Sequence, residues 1–141
     1  MILLDTSVLS SAFRRRRQAS TDVWAADALA GMIAGDLPVA VPGIVLQELL
    51  SGVRDDAQFA RLSALVEPFP VVMAERRDHV TGARIANTCR RKGLAPSTID
   101  CLIAAMAVER RALLFTLDDD FRSMAPHCGL KLVPPPHPRA R

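Results

Sequence analysis

A mainly parallel α/β fold is the class this sequence predicts, and three observations carry it. Short runs rich in Val, Ile and Leu at residues 2–4, 38–42, 69–73, 112–115 and 131–133 alternate with longer stretches whose apolar residues recur at helical spacing. Strands separated by helices are most simply joined by crossovers, which makes neighbouring strands parallel. Acids follow two of these runs, Asp5 at once and Asp118 shortly after, near the strand ends where open α/β sheets bind ligands. Finally, the 141 residues are half hydrophobic, enough for one domain with a sizeable core and too few for two ordinary ones.

The elements follow in order. Residues 2–4 form the first strand, and Thr6 or Ser7 is placed to cap a helix reaching Phe13. The basic run 14–17, with Gln18, reads as a solvated connector. A helix spans 22–33 and is closed by Gly35, and the next strand lies between Pro38 and Pro42. Residues 43–53 form a helix with a stripe of Leu46, Leu49, Leu50 and Val53, and a second amphipathic helix covers 55–66. After a short strand at 69–73, the helix over 78–92 ends at Gly93. Its small apolar face (Gly82, Ile85, Ala86, Cys89) lies opposite Arg84, Asn87 and Arg91. A strong helix covers 97–110, a strand 112–115, a short helical turn 118–124 and a last strand 131–133. The domain therefore spans 1–133, and the proline-rich residues 134–141 form a tail that cannot pack.

Composition narrows the function. Aromatic residues make up 4% and Tyr is absent, so the stacking platform of many single-strand binders is not available. Eighteen basic residues against 15 acidic ones give a formal charge of +3, a modest excess that grows if several acids are gathered around a cation. Cys89, Cys101 and Cys128 lack metal-ligand spacing and read as buried free thiols of a reducing cytosol. No apolar stretch reaches membrane-spanning length and no signal-peptide pattern opens the chain, so a soluble cytoplasmic protein is expected.

The acids carry the chemistry. Asp5 follows the first strand and, alone, is as readily a helix N-cap as a ligand. Glu48 sits off the leucine stripe of its helix, where charged residues are usually solvated. Asp100 stands three residues after Ser97, the spacing of a capping box, and Asp118 and Asp120 form an acid-rich turn after a buried strand. Each has an ordinary explanation. Together, a regular parallel topology would bring them to one sheet edge, where close carboxylates repel one another unless a cation neutralises them. Hard oxygen ligands without a Cys/His set suit Mg²⁺ or Mn²⁺ rather than zinc. Such ions bind phosphate oxygens and activate water for phosphodiester hydrolysis. No glycine-rich phosphate loop is present, and His79, His127 and His137 lie in helix-start or tail contexts.

Four segments sharpen this reading: Asp5-Thr6-Ser7-Val8-Leu9, Leu46-Gln47-Glu48-Leu49-Leu50-Ser51-Gly52, Ser97-Thr98-Ile99-Asp100-Cys101-Leu102-Ile103-Ala104-Ala105 and Thr116-Leu117-Asp118-Asp119-Asp120-Phe121. In this order they resemble a PIN domain, and the length and spacing are similar to the VapC toxins of bacterial toxin–antitoxin pairs. The resemblance implies a three-layer α/β/α sandwich and an Mg²⁺- or Mn²⁺-dependent endoribonuclease leaving 5′-phosphate and 3′-hydroxyl ends. It implies catalytic roles for Asp5, Glu48, Asp100 and Asp118. Metal ligation is expected from Asp5, Asp100, Asp118 and the auxiliary Asp120, with Thr6 and Thr116 orienting ligands or water behind them. It further implies an RNA substrate, a VapB-like antitoxin partner and a homodimer.

Two surfaces stay open. Arg84 and Arg91 either form a solvated face or guide an RNA backbone towards the acids. Trp24, Leu29 and Ile33 belong either to the core or to the border of a groove for a partner helix. The competing functions are a catalytically weak PIN-like RNA-binding or scaffold module and a DNA-directed nuclease of the same fold. A receiver-like protein built on Asp5 would need a second acid two residues on, where this chain has Ser7.

Overall fold

Twelve elements follow one another in the computed structural model, which describes residues 1–14 and 20–134. They are β1 (Ile2–Leu4), α1 (Thr6–Ala12), α2 (Ser20–Ala34), β2 (Val39–Pro42), α3 (Gly43–Leu50) and α4 (Asp56–Val66). Then come β3 (Val71–Val72), α5 (Arg76–Arg91), α6 (Thr98–Glu109), β4 (Leu113–Phe115), α7 (Asp119–Cys128) and β5 (Lys131–Leu132). Residues 15–19 of the basic connector and 135–141 of the tail lie outside the described residues.

The sheet runs β3-β2-β1-β4-β5, and every neighbouring pair is parallel. The chain winds outward from β1 through β2 to β3, then returns to the other side of β1 for β4 and β5. That reversal opens a crevice at the carboxyl ends of β1 and β4. The helices pack in two groups, α1 with α2 and α3 and α3 with α4, and α5 with α6 and α7. The sheet lies between them in a three-layer α/β/α sandwich, as the motif resemblance implied. Being central and covered on both faces, β1 is a continuous apolar run, with Leu3 and Leu4 wholly buried. Phe115 and Phe121 are also wholly buried, and Trp24 meets Phe115 edge-on at 5.5 Å.

α5 approaches α6 closely because Gly82 has no side chain. A Cβ there would lie 3.4 Å from the Cys101 carbonyl oxygen. The same helix pair is pinned by Arg110, whose guanidinium donates to both carboxylate oxygens of fully buried Asp78 at 2.7 and 2.9 Å. Asp78 in turn accepts from the Glu75 backbone N–H, closing a capping box at the start of α5. The guanidinium holds the Asp78 carboxyl below the ordinary carboxylate range.

Several boundaries differ from the sequence expectation for local reasons. α3 stops at Leu50 because Ser51 is extended and Gly52 takes φ +82°. β3 keeps only two residues, leaving Met73 exposed. α7 is longer than a turn and runs through Pro126, whose missing N–H affects only its end, before Gly129 closes it at φ +73°. Neither Thr6 nor Ser7 caps α1; Asp5 occupies the N-cap position. Cys89 and Cys101 are buried and Cys128 is half-buried, all as free thiols. On α2, Leu29 joins the core, Trp24 is half-buried and Ile33 is exposed, so that helix's apolar residues divide between core and surface. No described helix is long and apolar enough to cross a membrane.

Candidate metal centre

Asp5 ends β1, and its backbone N–H continues the parallel ladder by donating to the Phe115 carbonyl at 3.0 Å. The register pairs Leu4 with Phe115, so Asp5 and Thr116 leave the sheet side by side. Although Asp5 holds the N-cap position of α1, its side chain makes no cap hydrogen bond. Its Oδ2 instead accepts from the Thr116 hydroxyl at 2.8 Å and from the Ser7 hydroxyl at 2.7 Å. Two donors on one oxygen fix the orientation of the carboxylate. Asp5 as a residue is only 5% exposed, so these bonds replace lost hydration.

Ser7 was not foreseen as a site residue. Besides Asp5, its hydroxyl lies 3.3 Å from the Thr116 hydroxyl and accepts the Leu117 N–H at 3.0 Å. Thr116 accepts the Asp118 N–H at 3.0 Å, so the two hydroxyls tie Asp5 to the loop that carries Asp118. The signal available in the sequence was a hydroxyl two residues after a strand-end acid, a spacing suited to a side chain turning back on its neighbour.

Asp118 is the N-cap of α7, its Oδ1 accepting the Asp120 N–H at 2.9 Å. Asp100 occupies the first turn of α6, where Ser97 caps the helix by accepting the Asp100 N–H at 3.1 Å. With the cap supplied by serine, the Asp100 carboxylate reaches the α7 turn instead. Asp100, Asp118 and Asp120 each offer an oxygen, and these oxygens lie within 4.8 Å of one another. Glu48 stands half-buried on α3, accepting from the Thr6 hydroxyl at 3.2 Å.

The electrostatics fit a place for a cation. Burial pushes the Asp100 carboxyl up to about 6, against the pull of Ser97, and the charges of Asp118, Asp5 and Glu48 add to the rise. Burial also raises Glu48, partly offset by Thr6 and reinforced by the charge of Asp5. A divalent ion among these oxygens would remove the repulsion, and an all-oxygen donor set suits Mg²⁺ or Mn²⁺. The structure thus gathers Asp100, Asp118 and Asp120 tightly, with Asp5 and Glu48 close enough for their charges to act on Asp100. Thr6 and Thr116 sit directly behind Glu48 and Asp5. Arg84 and Arg91 are exposed on α5, opposite buried Gly82, Ile85 and Cys89, and Arg91 donates to the Thr88 hydroxyl.

The sequence profile of the PIN domain matches residues 2–126, nearly the whole described chain. This chain belongs to the PIN-domain family. Among its relatives are a VapC ribonuclease of Mycobacterium bovis and ribonuclease VapC11 of Mycobacterium tuberculosis. Each is 32% identical over 127 residues, covering 89% of this chain and 92% of the relative. VapBC2 of Rickettsia felis, solved bound to a promoter DNA fragment, shares the fold with a TM-score of 0.76 and 22% identity. That match covers 94% of this chain and 98% of that one. FitAcB of Neisseria gonorrhoeae matches with a TM-score of 0.74 at 20% identity, over 94% and 96% of the two chains.

Proposed function

We propose that this PIN domain is the toxin of a VapBC-type toxin–antitoxin pair, acting as an Mg²⁺- or Mn²⁺-dependent endoribonuclease. The convergence of the Asp100, Asp118 and Asp120 oxygens at the end of the Asp5 strand carries the reading. The VapC ribonucleases among its relatives support RNA as the substrate. The resemblance to VapBC assemblies supports a VapB-like antitoxin as a partner, and self-association as a homodimer is part of the same proposal.

In this reading Asp5, Asp100 and Asp118 hold the cation, with Asp120 as an auxiliary ligand at the exposed rim. When bound, the ion supplies charge neutralisation at the phosphate and lowers the pKa of a coordinated water. The chain's own residues supply orientation. Ser7 and Thr116 fix the Asp5 carboxylate, so it is oriented before a cation arrives. Thr6 holds Glu48 from one side, leaving its second oxygen to orient water or accept a proton near the phosphate. The raised pKa of Glu48 brings it closer to the range where a carboxylate exchanges protons near neutrality. Arg84 and Arg91 add positive potential along α5 for the RNA backbone.

The test compares wild type with Asp5→Asn and Asp100→Asn on an RNA pool, in Mg²⁺, Mn²⁺ or EDTA, with the ends of the products mapped. The expected result is metal-dependent cleavage by wild type alone. Cleavage that survives the chelator or either substitution refutes the mechanism, and cleavage confined to a parallel DNA pool refutes the substrate.

A further inference from the structure

A small pocket of about 120 Å³ adjoins the acid cluster, and Asp120 belongs to both. Its other walls are Leu94, Ala95 and Pro96, from the loop that joins α5 to α6, and Ser123 and Met124 on α7. Met124 is buried, whereas Asp120 and Ser123, three residues apart on one face of α7, are exposed. The loop brings only apolar side chains, and no lysine, arginine or histidine lines the pocket. Its polar side chains are acceptors. Asp120 is a carboxylate, and the Ser123 hydroxyl already donates to the Asp119 carbonyl at 3.3 Å, which leaves its lone pairs for a donor. A pocket lined in this way repels phosphate oxygens and suits a neutral group that donates. Its volume lies below the roughly 300–1,000 Å³ of pockets for whole small molecules, so it fits one part of a nucleotide.

We propose that this pocket seats the ribose next to the scissile phosphate, with Asp120 and Ser123 accepting from its 2′-hydroxyl, an inference that rests on the metal-nuclease reading above. The oxygens of Asp100, Asp118 and Asp120 lie within 4.8 Å of one another. A phosphate held by a cation among them rests its own sugar against the surface that borders them, and Asp120 joins that surface to the pocket. A carboxylate has two oxygens, so Asp120 serves the cation with one and the hydroxyl with the other. Leu94, Ala95 and Pro96 receive the C–H face of the sugar. The 2′-hydroxyl is the group by which a site tells RNA from DNA. The pocket therefore makes this chain demand a ribose at one position beside the cut, whatever the base there.

The test walks a single 2′-deoxy substitution, position by position, along a short fluorescein-labelled RNA. Two readouts use the full-length protein: cleavage rate in Mg²⁺ with the product ends mapped, and binding by anisotropy in Ca²⁺, which also takes oxygen ligands. Wild type is compared with Ser123→Ala, which removes one acceptor and favours the helix, and with Ala95→Phe, which fills the pocket from an exposed loop position. For wild type, the expected result is about a tenfold loss of rate and affinity at one position beside the cut, the effect of losing one hydrogen bond to a charged acceptor. Ser123→Ala should narrow that loss to about threefold, and Ala95→Phe should bind the RNA and the substituted strand alike. Mn²⁺ affinity by calorimetry and the unfolding midpoint of Ser123→Ala stay at wild-type values. If Ala95→Phe melts early, Ser123→Ala decides the matter. A walk with no sensitive position in wild type overturns the inference, as does a tenfold loss that persists in Ser123→Ala. A loss that follows the base rather than its 2′ group also overturns it, because the pocket then reads a base. Metal-dependent cleavage that is blind to the 2′ group sinks this inference alone. A sensitive position in binding, without cleavage in Mg²⁺ or Mn²⁺, sinks the nuclease reading and leaves the ribose contact standing.

Discussion

Asp100→Asn should stabilise the metal-free protein while abolishing its cleavage, and the size of the gain follows from the site. The Asp100 carboxyl titrates at about 6 in the folded chain against an ordinary 3.8. Because the folded value is the higher one, the group is protonated in both states below 3.8 and has no effect there. As pH rises the unfolded chain ionises first, so a penalty on folding grows and reaches its plateau above about 6. The gap between the two values corresponds to about 3 kcal/mol as an upper bound. Solvent access to the half-buried carboxylate reduces this, and loss of a favourable charge in the first turn of α6 takes back about 0.3–1 kcal/mol. The expected net gain at pH 8 is about 1–2 kcal/mol, a rise in Tm of roughly 3–7 °C for a chain of this size. At pH 4.5 about one third of the gain should remain. Thermal unfolding followed by circular dichroism in EDTA at the two pH values measures it. Adding Mg²⁺ or Mn²⁺ should narrow or reverse the difference, because the ion stabilises the state that binds it. An Asn variant no more stable than wild type at pH 8, or equally favoured at both pH values, would refute the like-charge reasoning.

Three further outcomes are expected. Asp78→Ala leaves the Arg110 guanidinium without its buried partner and should cost about 3–5 kcal/mol, a fall in Tm of roughly 10–15 °C; because the Asp78 carboxyl is held low, the contribution is present above pH 3.8 and fades as pH falls below it. A paired Asp78→Leu/Arg110→Met variant should recover much of that loss in the same melt, since an apolar pair leaves no orphaned charge. Ser7→Ala removes one donor from Asp5 Oδ2 and should weaken Mn²⁺ binding by about tenfold in calorimetry at a stability cost of only about 1 kcal/mol, with Ser7→Thr recovering part of the affinity. For Arg84→Ala/Arg91→Ala, RNA affinity should fall and its logarithmic salt slope should drop by about 1.4, at about 0.7 per phosphate contact; an unchanged slope would remove both residues from the interface.

The fold was legible because burial imposes period. Short continuous apolar runs between turn residues suit buried strands, and every strand and helix expected from the sequence is present. Errors collected at the ends of elements, where single residues outweigh period: Gly52 shortens α3, and Asp118 with Gly129 frames an α7 that tolerates Pro126. Asp100 and Ser97 show the harder case. Their spacing reads as reciprocal capping, yet the serine alone caps the helix and the acid turns to Asp118 and Asp120.

The sequence alone decided the strand–helix alternation, the short acid-bearing segments and the hard-oxygen character of any ligand set, since these depend on local pattern and side-chain chemistry. It could not decide which acid faces which. That depends on β1 lying beside β4 in a register that pairs Leu4 with Phe115, a contact across more than a hundred residues. This pairing makes Ser7 a support for Asp5 rather than a helix cap. Sequence spacing describes the face of one helix or strand, whereas a site is made from the faces of several, and only their packing brings them together.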